Sequence, residues 1–111
     1  MKTANYKFDH VSIPVATDNV QPNETYFPDM KLYCTDPSKT PYNVEYLRPE
    51  PGCTFFPILL EKPHLSYIVE DLDAALEGEN VVVPPFSPWP GRTIAFIDVN
   101  GFIFELCYDE K

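Results

Sequence analysis

Glycine is scarce in this chain, at four of 111 residues, while proline is abundant at thirteen. Each proline removes a backbone donor and interrupts a helix interior or a central strand, so long helices are excluded. Histidine occurs only twice and cysteine three times. Cys34, Cys53 and Cys107 form no CxxC pair, and their odd count argues for reduced thiols rather than a disulfide framework. No apolar stretch approaches the roughly 20 residues that cross a bilayer, and residues 1–5 lead into no signal-like hydrophobic run. A cytoplasmic location and no membrane partner are therefore expected. Basic residues are also few, eight against seventeen acidic ones, for a net charge of −9. That balance opposes binding to phosphate backbones, so nucleic acid is excluded as a partner. Asn23-Glu24-Thr25 fits a glycosylation acceptor, a pattern without meaning in a chain that is not exported.

What is present is ordinary globular material, 44% hydrophobic and 23% charged, far from the signature of disorder. A chain of this length buries roughly two thirds of its unfolded surface and makes a single domain over 1–111. Alternating and short apolar runs predict strands over 8–15, 31–35, 43–48, 64–69, 81–83, 93–99 and 102–108. One helix of about two turns is predicted over 72–77, with Asp71 capping it, Leu72, Ala75 and Leu76 on one buried face, and Gly78 to end it. The polar span 16–30, broken by Pro22 and Pro28, predicts a long connection without regular structure. Pro84-Pro85-Phe86-Ser87-Pro88-Trp89-Pro90 reads as an extended connection, the alternative being a proline-rich ligand of aromatic-grooved domains.

The most informative feature is an internal repeat. Asp9-His10-Val11-Ser12-Ile13-Pro14-Val15 aligns with Pro63-His64-Leu65-Ser66-Tyr67-Ile68-Val69, sharing the histidine, the serine two places on and the terminal valine. Each histidine strand is followed by a strand that carries a glutamate in apolar company, Val44-Glu45-Tyr46-Leu47 in the first half and Phe104-Glu105-Leu106-Cys107 in the second. The order His, Glu, His, Glu points to two copies of one plan. Alternation in a strand puts His10 on one face with Phe8 and Ser12, and Glu105 with Ile103 and Cys107. An ionised carboxylate on such a face is costly unless it is paired, hydrogen-bonded or bound to a cation. Two imidazoles and two carboxylates, His10, Glu45, His64 and Glu105, supply a mixed nitrogen and oxygen donor set suited to zinc, nickel, iron, manganese or cobalt. The bland alternative bonds the histidines to backbone and turns the glutamates to solvent.

The longest stretch of resemblance to a known family is residues 63–76, from Pro63-His64-Leu65-Ser66 to Ala74-Ala75-Leu76, followed by Ile94-Ala95-Phe96-Ile97-Asp98-Val99-Asn100-Gly101-Phe102-Ile103-Phe104-Glu105-Leu106. On these residues the chain resembles the vicinal oxygen chelate superfamily of glyoxalases, bleomycin-resistance proteins and extradiol dioxygenases. The resemblance implies an α+β fold of paired βαβββ modules, about 5–52 and 62–109, forming a cupped mixed β-sheet with metal ligands on the first and last strand of each module. His10, Glu45, His64 and Glu105 fall at those positions. The first half departs from the pattern: its helix is missing or reduced, and the stretch between its histidine and its glutamate is shortened.

A His, Glu, His, Glu set resembles that of glyoxalase I and methylmalonyl-CoA epimerase. It implies a metal-dependent isomerase, lyase or epimerase acting by proton transfer next to a chelated carbonyl of a small-molecule substrate, with Glu45 or Glu105 as the base. Two alternatives share the fold: a metal-free binding or resistance protein, and an iron-dependent extradiol dioxygenase using His10, His64 and Glu105. Glutathione and coenzyme A adducts call for more cations than Arg48 and Arg92 offer. Arg92 is a candidate to orient a substrate carboxylate, and Trp89, Phe86 and Phe96 to form an aromatic wall. The exposed edges of such a sheet leave surface for a homodimer.

Overall fold

A computed structural model describes residues 1–110. Eight strands carry the fold: β1 (Lys7–Pro14), β2 (Glu24–Phe27), β3 (Leu32–Thr35), β4 (Val44–Pro49), β5 (His64–Ile68), β6 (Asn80–Trp89), β7 (Arg92–Val99) and β8 (Phe102–Asp109). Two five-residue helices, α1 (Pro57–Glu61) and α2 (Leu72–Leu76), and three short 3-10 turns complete it. Hydrogen-bonded neighbours follow the order β2-β3-β4-β1-β5-β8-β7-β6. This is an α+β chain with a mixed sheet and reduced helices, as the family resemblance implied. Among the described residues no helix is long and apolar enough to cross a membrane.

The chain forms two compact units, one of residues 10–64 and one of residues 1–9 with those from 65 onward. In the first unit β1 runs parallel to β4, and β3 pairs antiparallel with both β2 and β4. No helix stands between β1 and β2. Leu32, Val44, Leu47 and Leu59 are its buried apolar residues. Arg48 ties the long connection down: it donates to both carboxylate oxygens of Glu24, at 2.7 and 2.8 Å, and to the Thr17 carbonyl at 2.8 Å. Its guanidinium also lies 3.9 Å from the centroid of the Tyr33 ring, a cation–π contact.

The second unit repeats the scheme with a helix added. β5 runs parallel to β8, and β7 pairs antiparallel with both β8 and β6. Asp71 accepts from the Ala74 backbone N–H at 3.1 Å, which caps α2. Leu72 and Ala75 of α2 pack with Val69, Ala95, Ile97 and Leu106. Because Ala95 opposes Leu106 while Phe96 opposes Glu105, α2 covers one face of β7 and β8, and Glu105 lies on the other. The β7–β8 hairpin turns on Asn100 and Gly101, at φ +54° and +87°. This Asn-Gly pair meets the positive dihedrals that a tight two-residue hairpin requires.

Three expectations are corrected. Residues 16–30 are not devoid of regular structure, since β2 lies within them; its four residues are held by pairing to β3 and by the Glu24–Arg48 bridge. Residues 84–90 are not a plain connection: the strand expected over 81–83 runs on through Pro84, Pro85 and Pro88 to Trp89. The prolines are tolerated because β6 ends the strand order, so only one side of its backbone is called on for pairing, and the register shifts at three places along it. The predicted 72–77 helix is also not the sole one, because α1 starts at Pro57, where a missing N–H costs nothing, and buries Leu59.

Candidate functional site

Parallel pairing sets the local geometry in the same way in both units. In β1 and β4, Ser12 stands opposite Glu45; in β5 and β8, Ser66 stands opposite Glu105. The Ser12 hydroxyl donates to Glu45 Oε1 at 2.8 Å, and the Ser66 hydroxyl donates to Glu105 Oε1 at 2.5 Å. The equivalence extends two residues further, where the Val15 N–H donates to the Leu47 carbonyl at 2.9 Å and the Val69 N–H to the Cys107 carbonyl at 2.8 Å. Every residue type shared by the sequence repeat thus has a matched place: the serine on a glutamate, the valine on the carbonyl two positions beyond it, and the histidine two positions before the serine.

The two glutamates differ in their surroundings. Glu105 is buried, at 6% exposure, while the Glu45 side chain keeps 21% of its surface. Glu45 Oε1 lies 3.6 Å from His10 Nε2, an ion pair when that imidazole is protonated. His10 and His64 are both buried, at 4% and 2%. His10, His64 and Glu105 each offer a ligand atom, and these atoms all lie within 4.8 Å of one another. Glu45 is not part of that group.

Cross-strand register in the second unit assigns the apolar residues near Glu105. Phe96 of β7 stands opposite Glu105, Ile94 opposite Cys107, and Phe86 of β6 opposite Ile94. Directly opposed residues share a face, so Phe86, Ile94 and Phe96 line the face that carries Glu105. Cys107 lies fully buried on this face, and burial, reinforced by the Glu105 carboxylate, pushes its thiol far above the ordinary range. Trp89 is half exposed at the end of β6. Arg92, opposite Trp89, donates to both oxygens of Asp109 at 2.6 and 2.9 Å and to Asp9 at 3.3 Å. Those hydrogen bonds, with Asp109 foremost, hold the guanidinium more firmly protonated than usual.

Four polar residues drew no role from the sequence. Ser12 and Ser66 were visible as the shared serine of the repeat, but nothing in the sequence sets a parallel register that brings each onto a glutamate. Asp9 and Asp109, the partners of Arg92, carry no local signal at all.

No protein-family model matches the chain, and no curated protein matches its sequence. Solved structures do match its fold. Hypothetical protein BH1468 from Bacillus halodurans superposes with a TM-score of 0.66 at 16% identity, over 96% of this chain and 96% of that one. The methylmalonyl-CoA epimerase of Mycobacterium tuberculosis superposes with a TM-score of 0.61 at 20% identity, over 95% of this chain and 89% of that one.

Proposed function

Starting from the vicinal oxygen chelate fold that this chain has, we propose an epimerase- or isomerase-like enzyme that moves a proton next to the carbonyl of a small molecule. The observation that carries the reading is the close group of buried His10, His64 and Glu105. A buried carboxylate is costly without a compensating charge, and two neutral imidazoles beside it make a donor set that zinc, nickel, iron, manganese or cobalt accepts. His10, His64 and Glu105 are the residues that would hold such an ion. When bound, it supplies Lewis-acid stabilisation for negative charge developing on a substrate oxygen. Glu45 is then the carboxylate left to take and return the proton: it lies outside the ligand group, is oriented by the Ser12 hydroxyl and keeps partial access to solvent. The name of the methylmalonyl-CoA epimerase neighbour fits this class of reaction.

Charge favours a small, lightly charged substrate over a coenzyme A or glutathione adduct. Arg48 is already bound to Glu24 and Arg92 to Asp109, and the chain carries a net charge of −9. Phe86, Ile94 and Phe96 give the Glu105 face an apolar lining suited to such a molecule. A second reading, an iron-dependent dioxygenase, has one specific observation in its favour: the gathered group is two histidines and one carboxylate, without Glu45.

The test is hydrogen exchange. Metal-loaded protein is incubated in deuterated water with small α-hydroxy aldehydes and ketones, and with methylmalonyl-CoA, and mass spectrometry reads the deuterium incorporated. Exchange that requires metal and is lost in Glu45→Gln supports proton transfer. Oxygen uptake with iron and a catechol, without exchange, supports the dioxygenase. Saturated protein that exchanges no substrate hydrogen overturns the first reading.

A further inference from the structure

The second half of β6 and the residue after it hold Pro84, Pro85, Pro88 and Pro90. Proline fixes φ at about −65°, close to the polyproline II value and far from that of an antiparallel strand. The residue before a proline is confined to β or polyproline II dihedrals as well. These rules hold Val83, Pro84, Pro85, Ser87, Pro88 and Trp89 to extended backbone by sequence alone, with only Phe86 among them left unconstrained.

The register shows how that backbone lies on its neighbour. Val83 stands opposite Phe96, Phe86 opposite Ile94 and Trp89 opposite Arg92, so β6 turns every third residue to β7 while β7 answers with every second. A repeat of three belongs to a polyproline II helix, a repeat of two to a strand. Val83 is buried and Phe86 half-buried, and the Arg92 guanidinium lies 5.6 Å from the centroid of the Trp89 ring. Between these contacts Pro84, Pro85 and Ser87 are exposed and Pro88 is half-buried; the Ser87 hydroxyl lies 3.3 Å from that of Thr93. Val81, Val82 and Trp89 add exposed apolar surface to the same strand, which is last in the strand order.

In a helix of three residues per turn, positions i and i+3 share one ridge, i+1 and i+4 the next, and i+2 the third. A groove lined with aromatic rings takes such a helix through its P-x-x-P spacing. Pro84-Pro85-Phe86-Ser87-Pro88 has that spacing, with Pro84 and Ser87 on one ridge and Pro85 and Pro88 on the next. The third ridge, Val83, Phe86 and Trp89, is the one turned to β7. We propose that the outer side of β6 is a docking surface for a protein domain with an aromatic-lined, proline-binding groove. The groove's rim is basic, because Glu77 and Glu79 precede β6 and a net charge of −9 repels an acidic rim. Fixing the segment on β7 before the partner arrives lowers the ordering entropy that a free proline-rich peptide loses on binding.

The experiment uses the full chain with its single tryptophan, Trp89, carried as 5-fluorotryptophan. It is titrated with isolated Src-homology-3 and WW domains chosen with basic and with acidic rims, and fluorine NMR reads the Trp89 resonance. A basic-rimmed domain is expected to move that resonance saturably. Pro85→Ala and Pro88→Ala should each weaken binding at least about fivefold, the loss that marks a residue carrying binding energy. Val20→Ala, exposed in the other unit, should stay within about twofold of wild type. Circular dichroism checks that each variant is folded. Should Pro85→Ala not fold, Pro85→Val supplies a strand-forming side chain and must show the same loss. Wild-type affinity in the proline variants overturns the proposal. So does binding no tighter to basic-rimmed than to acidic-rimmed domains, or no saturable shift with any domain of the set.

Discussion

Loading the His10, His64 and Glu105 group with a divalent ion should stabilise the fold by mass action, and the size of the effect follows from linkage. A free ion at about a hundred times its dissociation constant adds about 2.7 kcal/mol to the folded state. In a domain of this size each kcal/mol moves the melting temperature by about 4–8 °C, so the transition is expected to rise by about 10–20 °C. His64 is the informative donor to remove. Its ring is 2% exposed at the first position of β5, and without it one imidazole and one carboxylate remain of the group. With binding weakened about a hundredfold, the same ion concentration only matches the new dissociation constant and contributes about 0.4 kcal/mol, a rise of about 2–3 °C. The assay is thermal unfolding by circular dichroism, on protein stripped with chelator and then given zinc, nickel, manganese, cobalt or iron. Each variant is compared with its own metal-free state, so the cavity left by the ring does not enter. The reasoning is refuted if His64→Ala keeps the full rise, or if none of the ions moves the wild type.

Three further outcomes follow from the geometry. The Arg48 guanidinium, donating to both oxygens, holds the Glu24 carboxyl below the ordinary glutamate range; the stability this adds is complete above that range and lost as pH falls through the lowered value. Urea midpoints between pH 7 and 2 should therefore fall further in wild type than in Glu24→Gln, and parallel curves would contradict the sign. Cys107, fully buried with a thiol driven far up by burial, should react with a thiol reagent at about pH 8 only in denaturant, whereas prompt labelling of that residue in native protein would count against the assignment. Gly78 follows α2 at φ +77° with nothing within 4 Å of an added Cβ, so Gly78→Ala should cost about 1–2 kcal/mol through backbone strain alone; an unchanged urea midpoint would refute this.

Most strands were legible because alternation and short apolar runs are local signals. β1 and β5 place buried and half-buried residues in turn, while β7 and β8 hold short runs of consecutive buried residues, and the limits of all four lie within a residue or so of the predicted ones. β2 was hidden because its four residues lie between Pro22 and Pro28 with none buried; its partners, β3 and Arg48, are supplied by the fold. β6 was hidden by its prolines, which forbid an interior strand but not an outer one, and position in a sheet cannot be read from a segment alone. α1 left one usable mark, Pro57 at a first helical position, too short a signal to outweigh the surrounding residues. At the site, His10, His64 and Glu105 stood out through the repeat and lie close together, while the parting of Glu45 from Glu105 was invisible, since the two have the same neighbours in sequence pattern and the same serine opposite. Their difference lies in burial, a property of the folded chain.

The outermost strand also bears on how copies of this chain meet. A sheet grows when an arriving segment finds an unbroken row of amide hydrogens and carbonyls along a free edge. β6 offers no such row, because Pro84, Pro85 and Pro88 have no amide hydrogen and the strand changes register around them. Ten residues of extended backbone are thereby left beside water with little capacity to template fibril growth or strand exchange from that side.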